Sequence, residues 1–424
     1  MEKHGFRRRV MEYAFSDSAL RSSEDFIIEN VQIFCEELSN TAATPSKWGT
    51  PQDMNSWSTY LNYDIMGDLT FSTKFNCMRS EEHRYVPAIM ITGTEFLYNF
   101  GYLPFVRFVR PLLGSKLLEI LGGKLARDGK RYVEYAARQM VLRLEDTEKN
   151  DADFPRKDLM HYLINAEDPQ TGQGLSPTEL AAESSLLMAA GSDTTSTALS
   201  GTFFYLLHSP ECLEKATIEV RSMFNSIEEI RGGSSLGSLV YLRACIDETL
   251  RLSPPVTTNL MVEVLPGGLA VDGNHFPEGT TLGVSPYVVH HNAQYYPDPY
   301  VYRPERWISR DKHCSVLTDD QKSTVESVAN ARSAFFAFSA GPHGCLGKNL
   351  AYLELIITLA MLLFKFDIRI PQDKELREPS GEGMSGNKHP GRRRRDEYQL
   401  VEHFIPIKKG PMVQFRDARW ELID

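Results

Sequence analysis

The sequence predicts a mainly α fold with a minor β component, and three observations carry that expectation. From Ser176 to Ser209 the chain runs without a helix breaker, and roughly thirty residues at 1.5 Å each make a rod on the order of 50 Å. A second helical stretch, 238–252, stops at Pro254-Pro255, and a third follows Cys345. Short β-like runs separated by turn pairs are confined to 260–290 and to the neighbourhood of the C-terminus. With 424 residues, 42% of them hydrophobic, the chain can bury a large core.

The elements follow in order. The start is polar, contains Arg7-Arg8-Arg9 and has no apolar h-region, so no signal peptide is visible. Residues 18–39 place Phe26, Ile27, Val31, Phe34 and Leu38 at helical spacing, ahead of the polar segment Ser39 to Lys47. Residues 56–70 and 84–100 also read as helices. After Pro104 and Pro111, an amphipathic surface helix is predicted over 117–144, with charged residues on one side.

Ser176-Pro177-Thr178-Glu179 is a helix start: serine caps, proline suits the first helical position, and Glu179 closes a capping box. The helix it opens is apolar nearly all round, so it should be central. Leu260 to Val264, Leu269 to Val271 and Thr281 to Val284 are the β-like runs, with turns at Asp272-Gly273 and Pro277-Glu278-Gly279. From 292 to 335 there is little periodicity. Leu350 to Phe364, interrupted by Glu354, is shorter than the ~20 residues needed to span a bilayer and reads as a core helix. Glu378 to Arg395, Gly-rich and then basic, reads as a solvated flexible loop.

The formal charge of −10 argues against a nucleic-acid partner. Six cysteines, none in a C-x-x-C pair, fit a reduced intracellular chain rather than a disulfide scaffold.

The chemistry concentrates in Phe338-Ser339-Ala340-Gly341-Pro342-His343-Gly344-Cys345-Leu346-Gly347. A cysteine framed by glycines, just ahead of an apolar helix, suits a thiolate aimed at a flat cofactor, because glycine permits unusual backbone angles and close approach. N–H groups at the helix start favour the anionic sulfur. Inside the long helix stands Ala190-Gly191-Ser192-Asp193-Thr194-Thr195, where Gly191 and a back-bonding threonine should loosen the helix and open a slot. Glu248-Thr249-Leu250-Arg251 puts two opposite charges on one helical face, and Pro304-Glu305-Arg306-Trp307 follows.

The cysteine run resembles the haem-binding signature of the cytochrome P-450 superfamily, F-x-x-G-x-R-x-C-x-G, with His343 where arginine is usual. Glu248, Arg251 and Arg306 resemble that family's structural ion triad, and the Asp193-Thr194 segment its oxygen-activation motif. His4-Gly5-Phe6-Arg7-Arg8-Arg9 is similar to a helix that in full-length members follows roughly the first quarter of the chain. The texture (HHN, YYPDP, RPERW, GKNLAYLEL) is most like fungal microsomal members of secondary metabolism.

The resemblance implies a cytochrome P-450 fold over 1–424 as a single domain, N-terminally truncated, with haem b between the long central helix and the cysteine loop. Cys345 would be the axial metal ligand. Phe338, Gly347, His4, Arg8 and His343 would contact the cofactor, the last three at its propionates, with Phe338 shielding the sulfur. Asp193 and Thr194 would handle protons, while Ala190 and Val256 to Met261 would face the substrate. The implied activity inserts one atom of O2 into an apolar small molecule, with electrons from NADPH-cytochrome P-450 reductase. The chain as written has no anchor, whereas the family implies the cytosolic face of the endoplasmic reticulum membrane. Two alternatives stay open: a haem-thiolate isomerase or dehydratase, against which the intact Asp193-Thr194 pair speaks, and a truncated inactive haem-binding remnant.

Overall fold

A computed structural model describes residues 2–42, 47–103, 105–112, 115–150 and 157–418. Pro104 and residues 43–46 of the predicted polar segment lie outside the described residues.

The long helix, Pro177–His208, is the axis of the molecule. Its start is a complete capping box: Glu179 N–H donates to Ser176 Oγ at 3.3 Å, and Ser176 N–H donates to the Glu179 carboxylate at 3.1 Å. It packs against helices Met54–Phe71, Gly123–Asn150, Val240–Leu252 and Lys348–Lys365, and is buried almost throughout from Ser192 to Leu207. So many hydroxyls survive burial because they satisfy themselves on the preceding turn. Thr197, Ser200 and Thr202 each donate at 2.8 Å to the carbonyl four residues back.

The expected slot at Gly191 is not what the glycine provides. The helix is unbroken across it, and a β-carbon there would lie 2.5 Å from Sδ of Met66. Gly191 therefore lets Met54–Phe71 approach closely.

The helix Lys348–Lys365 is core, as its apolar run predicts, and its last residues feed the strand Phe366–Arg369. That strand pairs antiparallel with Met412–Asp417 (Ile368 opposite Phe415), which pairs in turn with Gln52–Asp53. Leu269–Val271 and Asn274–Phe276 form a hairpin whose turn residues, Asp272 (φ 47°) and Gly273 (φ 76°), are both left-handed, as a type I′ turn requires. Val262–Glu263 pairs with Thr281–Leu282. No described helix is long and apolar enough to cross a membrane.

Three elements differ from the sequence expectation. The 117–144 helix is two, Lys116–Leu121 and Gly123–Asn150, divided where Gly123 turns left-handed at φ 56°. The aperiodic 292–335 stretch holds a helix, Val325–Ser333, capped by Thr324. The 378–395 segment is tied rather than loose: Gly383 N–H and Met384 N–H donate to the Arg394 and Arg392 carbonyls at 2.9 Å, and Glu382 pairs with Arg395 at 3.2 Å.

Candidate active site

Of the six free cysteines only Cys345 is exposed. Its loop leaves Phe338 through Ser339 (φ 59°) and Gly341 (φ 65°), and closes where Cys345 N–H donates to the Phe338 carbonyl at 2.9 Å. Phe338 packs on Tyr352, ring centroids 5.0 Å apart, which fixes the start of the loop to the helix after it. Desolvation by the surrounding protein raises the Cys345 thiol pKa, while the N–H groups of Gly347 and Lys348 and the charges of Arg8 and Lys348 pull it down. Gly347 begins the helix Lys348–Lys365, and a β-carbon on it would sit 3.9 Å from the sulfur.

The first helix, Glu2–Glu12, holds this loop against the long helix. At 100° per residue, three consecutive arginines point three ways. Arg7 pairs with Glu179 (3.4 Å) and Glu183 (3.5 Å) on the long helix. Arg8 Nη1 donates to the carbonyls of Pro342 (3.0 Å) and Gly344 (2.8 Å) in the cysteine loop, and Nε pairs with Glu12 at 3.1 Å. Arg9 clasps the fully buried Asp168 through two bonds of 2.7 and 2.9 Å, holding that carboxyl well below the usual range. One turn earlier, the ring of His4 lies 4.8 Å from that of His343. The arginine run is thus an anchor, and Arg8 serves the loop's own backbone.

Behind the loop lies a buried ionic network. Arg251 grips Glu248 through Nε (3.0 Å) and Nη2 (2.9 Å), and Arg306 Nε reaches the same carboxylate at 2.9 Å. Arg303 N–H (3.0 Å) and Trp307 Nε1–H (2.9 Å) complete the carboxylate's partners. Burial alone would protonate Glu248, but the two guanidiniums outweigh it and its pKa falls. Arg251 Nη1 also donates to the carbonyls of His290 and Pro299, both at 2.7 Å. His290 passes the support onward: its Nε2 accepts the Phe336 N–H at 3.1 Å, two residues before Phe338.

On the long helix, Asp193 is fully buried and neither carboxylate oxygen has a hydrogen-bond partner among the described residues. Burial raises its pKa, and the charge of Lys408 opposes that rise. Thr194 is half-buried, its hydroxyl bonded to the Ala190 carbonyl at 2.7 Å. Ala190 is exposed, as are Leu260 and Met261, while Val256 and Thr257 are half-buried.

The motif residues therefore fall into two connected groups and one apart. Cys345, Phe338, Gly347, His343, His4 and Arg8 cluster around the loop. Glu248, Arg251 and Arg306 buttress it from behind. Asp193 and Thr194 stand on the long helix, to which Arg7 ties the loop's anchor. Sequence reasoning missed His290 and Trp307, for they showed only as parts of the HHN and PERW runs.

The family model for Cytochrome P-450 matches residues 2–392. A cytochrome P-450 monooxygenase of Gibberella zeae is 37% identical, covering 97% of this chain and 89% of that protein. Cytochrome P-450 monooxygenase fscF of Fusarium equiseti is 35% identical, covering 98% of this chain and 75% of its own length. A Gibberella fujikuroi relative, cytochrome P-450 monooxygenase apf8, is 33% identical and covered along 100% of its length. Among solved structures, the heme domain of cytochrome P-450DA superposes with a TM-score of 0.71 at 19% identity, covering 98% of this chain and 77% of that one.

Proposed function

This chain belongs to the cytochrome P-450 family and is a haem b monooxygenase that uses O2 and a redox partner, and from that premise we propose which of its residues do the work. Cys345 would hold the haem iron through its sulfur. The observation that carries this is the sulfur's donor set: an exposed cysteine served by two helix-start N–H groups and two cations, Arg8 and Lys348. Those groups favour thiolate against the desolvation, and a bound iron would favour it further. The residues present fit the cofactor. When bound, haem b supplies the electron-transfer and O2 chemistry of the overall reaction RH + O2 + NADPH + H⁺ → ROH + H2O + NADP⁺.

The chain's own residues bind, orient and move protons. His4 and His343, gathered at the loop, would hold the propionates; Arg8, whose Nη1 and Nε serve the loop carbonyls and Glu12, would join them only through Nη2, and Gly347 keeps the surface beside the sulfur flat. Phe338 screens the sulfur from the side of Tyr352. Asp193 carries a proton in its carboxyl, and Thr194 holds one at Oγ1. The triad of Glu248, Arg251 and Arg306 is structural. The exposed Ala190 and the 256–261 segment supply apolar contacts for an apolar organic substrate, within fungal secondary metabolism. The 1–424 chain acts as one domain, with NADPH-cytochrome P-450 reductase as the redox partner.

Membrane association on the cytosolic face of the endoplasmic reticulum fits one surface feature. Leu97, Phe105, Phe108, Leu117, Ile120 and Leu121 are each more than half exposed within 25 residues of chain. So many large apolar side chains exposed along one short stretch support docking against an apolar surface.

The ligand assignment is tested by Cys345→Ala. The variant should lose the red-shifted Soret band of the reduced carbon monoxide complex, and a retained band would assign the ligand elsewhere.

A further inference from the structure

The basic run Arg392 to Arg395 ends the 378–395 segment, and its four side chains have four destinations. Arg392 Nη2 donates to the Leu400 carbonyl at 3.1 Å, Arg393 Nε donates to the Asn387 carbonyl at 2.6 Å, and Arg395 pairs with Glu382 at 3.2 Å. Those three tie the segment to itself and to the chain that follows it. Arg394 reaches a different part of the molecule. Its guanidinium lies 3.6 Å over the ring of Tyr300, and Nη1 donates to Glu397 at 2.9 Å. Tyr287 Oη donates to the other oxygen of that carboxylate, which is buried. Tyr287 stacks on His291 with ring centroids 4.0 Å apart, and His291 lies 5.0 Å from Tyr300. The contacts close into a ring through Arg394, Tyr300, His291, Tyr287 and Glu397.

This ring holds the one-turn helix Pro286–His290. Five residues do not sustain a helix alone, so its placement is imposed by its neighbours. From the core side Arg251 grips the His290 carbonyl at 2.7 Å. A grip on one carbonyl does not fix the roll of a short helix about its axis, and that roll decides where the His290 ring points. Tyr287 and His291 stand four residues apart on one face, and His290 stands on another. With the first face clamped by Glu397 and Arg394, the second presents His290 Nε2 to the Phe336 N–H at 3.1 Å. Two residues further on, the Phe338 carbonyl accepts the Cys345 N–H at 2.9 Å.

We propose that Arg394 and Glu397 are positioning residues for the cysteine loop, acting through the roll of the Pro286–His290 helix and the bond from Phe336 to His290. The consequence for the cofactor rests on Cys345 being its ligand; the consequence for the loop does not. The basic end of the 378–395 segment is then an outer clamp on the same stretch of chain that Arg251 grips from within.

The experiment uses the haem-loaded full chain, its Tyr287→Phe, Glu397→Ala and Arg394→Met variants, and the Tyr287→Phe/Glu397→Ala double. Deuterium exchange at the Phe336 amide is compared with exchange along the Pro177–His208 helix, and the Soret band of the reduced carbon monoxide complex is followed over time. Tyr287→Phe and Glu397→Ala should each speed exchange at Phe336 about tenfold, the worth of a hydrogen bond to a charged group, while the long helix is unchanged. The double should be no faster than Glu397→Ala alone, because both changes cut one bond. Arg394→Met should act in the same direction, and the red-shifted band should fade faster in the same rank order. Tyr287→Phe removes a single hydroxyl, so it carries the test if Glu397→Ala folds poorly. Unchanged exchange at Phe336 overturns the positioning role. So does a gain matched along the long helix, which would report ordinary loss of stability. Faster exchange with an unaltered band would overturn the step from loop to sulfur. A parent protein without the red-shifted band would instead end Cys345 as the ligand, and exchange at Phe336 would still decide the role of the clamp.

Discussion

Nε2 of His290 accepts the backbone N–H of Phe336 at 3.1 Å, and this bond joins the buried ion network to the cysteine loop. An acceptor at Nε2 places the imidazole proton on Nδ1, so the ring works as a neutral group. Burial, with the nearby Arg251 charge, holds its pKa down at about 3.

The first prediction is a pH dependence of stability. A histidine whose folded pKa lies below its unfolded value near 6.5 stabilises the fold fully above that value. It loses this contribution as pH falls, because the unfolded chain binds the proton first. The window runs from about 6.5 down to about 3, with a slope of up to ~1.4 kcal/mol per pH unit. His291, lowered to about 4 by burial, adds a slope of the same sign. His290→Gln, which keeps an acceptor for Phe336, should flatten the acid side of the melting-temperature profile. An equally steep profile would mean that His290 is not the titrating group.

Glu248→Gln should be among the most damaging single changes in the chain. It leaves the shape but removes the charge facing Arg251 and Arg306, both buried. Breaking one member of such a set costs about 3–5 kcal/mol. Chemical denaturation against the parent reads this directly; a loss under 1 kcal/mol would show the network to be water-accessible.

Gly191→Ala should destabilise by about 1–3 kcal/mol, despite alanine's better helix propensity, because its β-carbon would overlap Met66. On a Met66→Ala background the same change should cost little, because the overlapping side chain is gone. If the two losses simply add, the contact is not the reason for glycine.

Thr194→Ala should keep haem but cut product per NADPH roughly tenfold or more, with the electrons recovered as hydrogen peroxide. Its hydroxyl sits on a half-buried helix face rather than in the packed core, so the fold should tolerate the change. An unaltered ratio removes Thr194 from proton handling.

What the sequence disclosed followed from local chemistry. Ser176-Pro177-Thr178-Glu179 fixes a helix start within four residues, and the structure has it there. Asp272-Gly273 likewise fixes a hairpin by its own backbone preferences. The Glu248, Arg251 and Arg306 contacts were accessible only because two short motifs stood in the right order. Long-range partners left no such trace. Nothing in the run Arg7 to Arg9 reveals that each residue has its own destination. Gly191 was misread for a related reason, since a glycine in a helix signals either looseness or close approach, and only the neighbour, Met66, decides which.

The donors of Arg251 and Arg306 have one further consequence. Apart from Glu248, they are directed at main-chain oxygens: His290, Pro297, Asp298, Pro299 and Val301. The two guanidiniums thus read the path of the 290–301 segment and are indifferent to the identity of its side chains. The segment is a mould held by its spine, free to drift in sequence at Ala293 or Gln294, while the three residues that grip it are not.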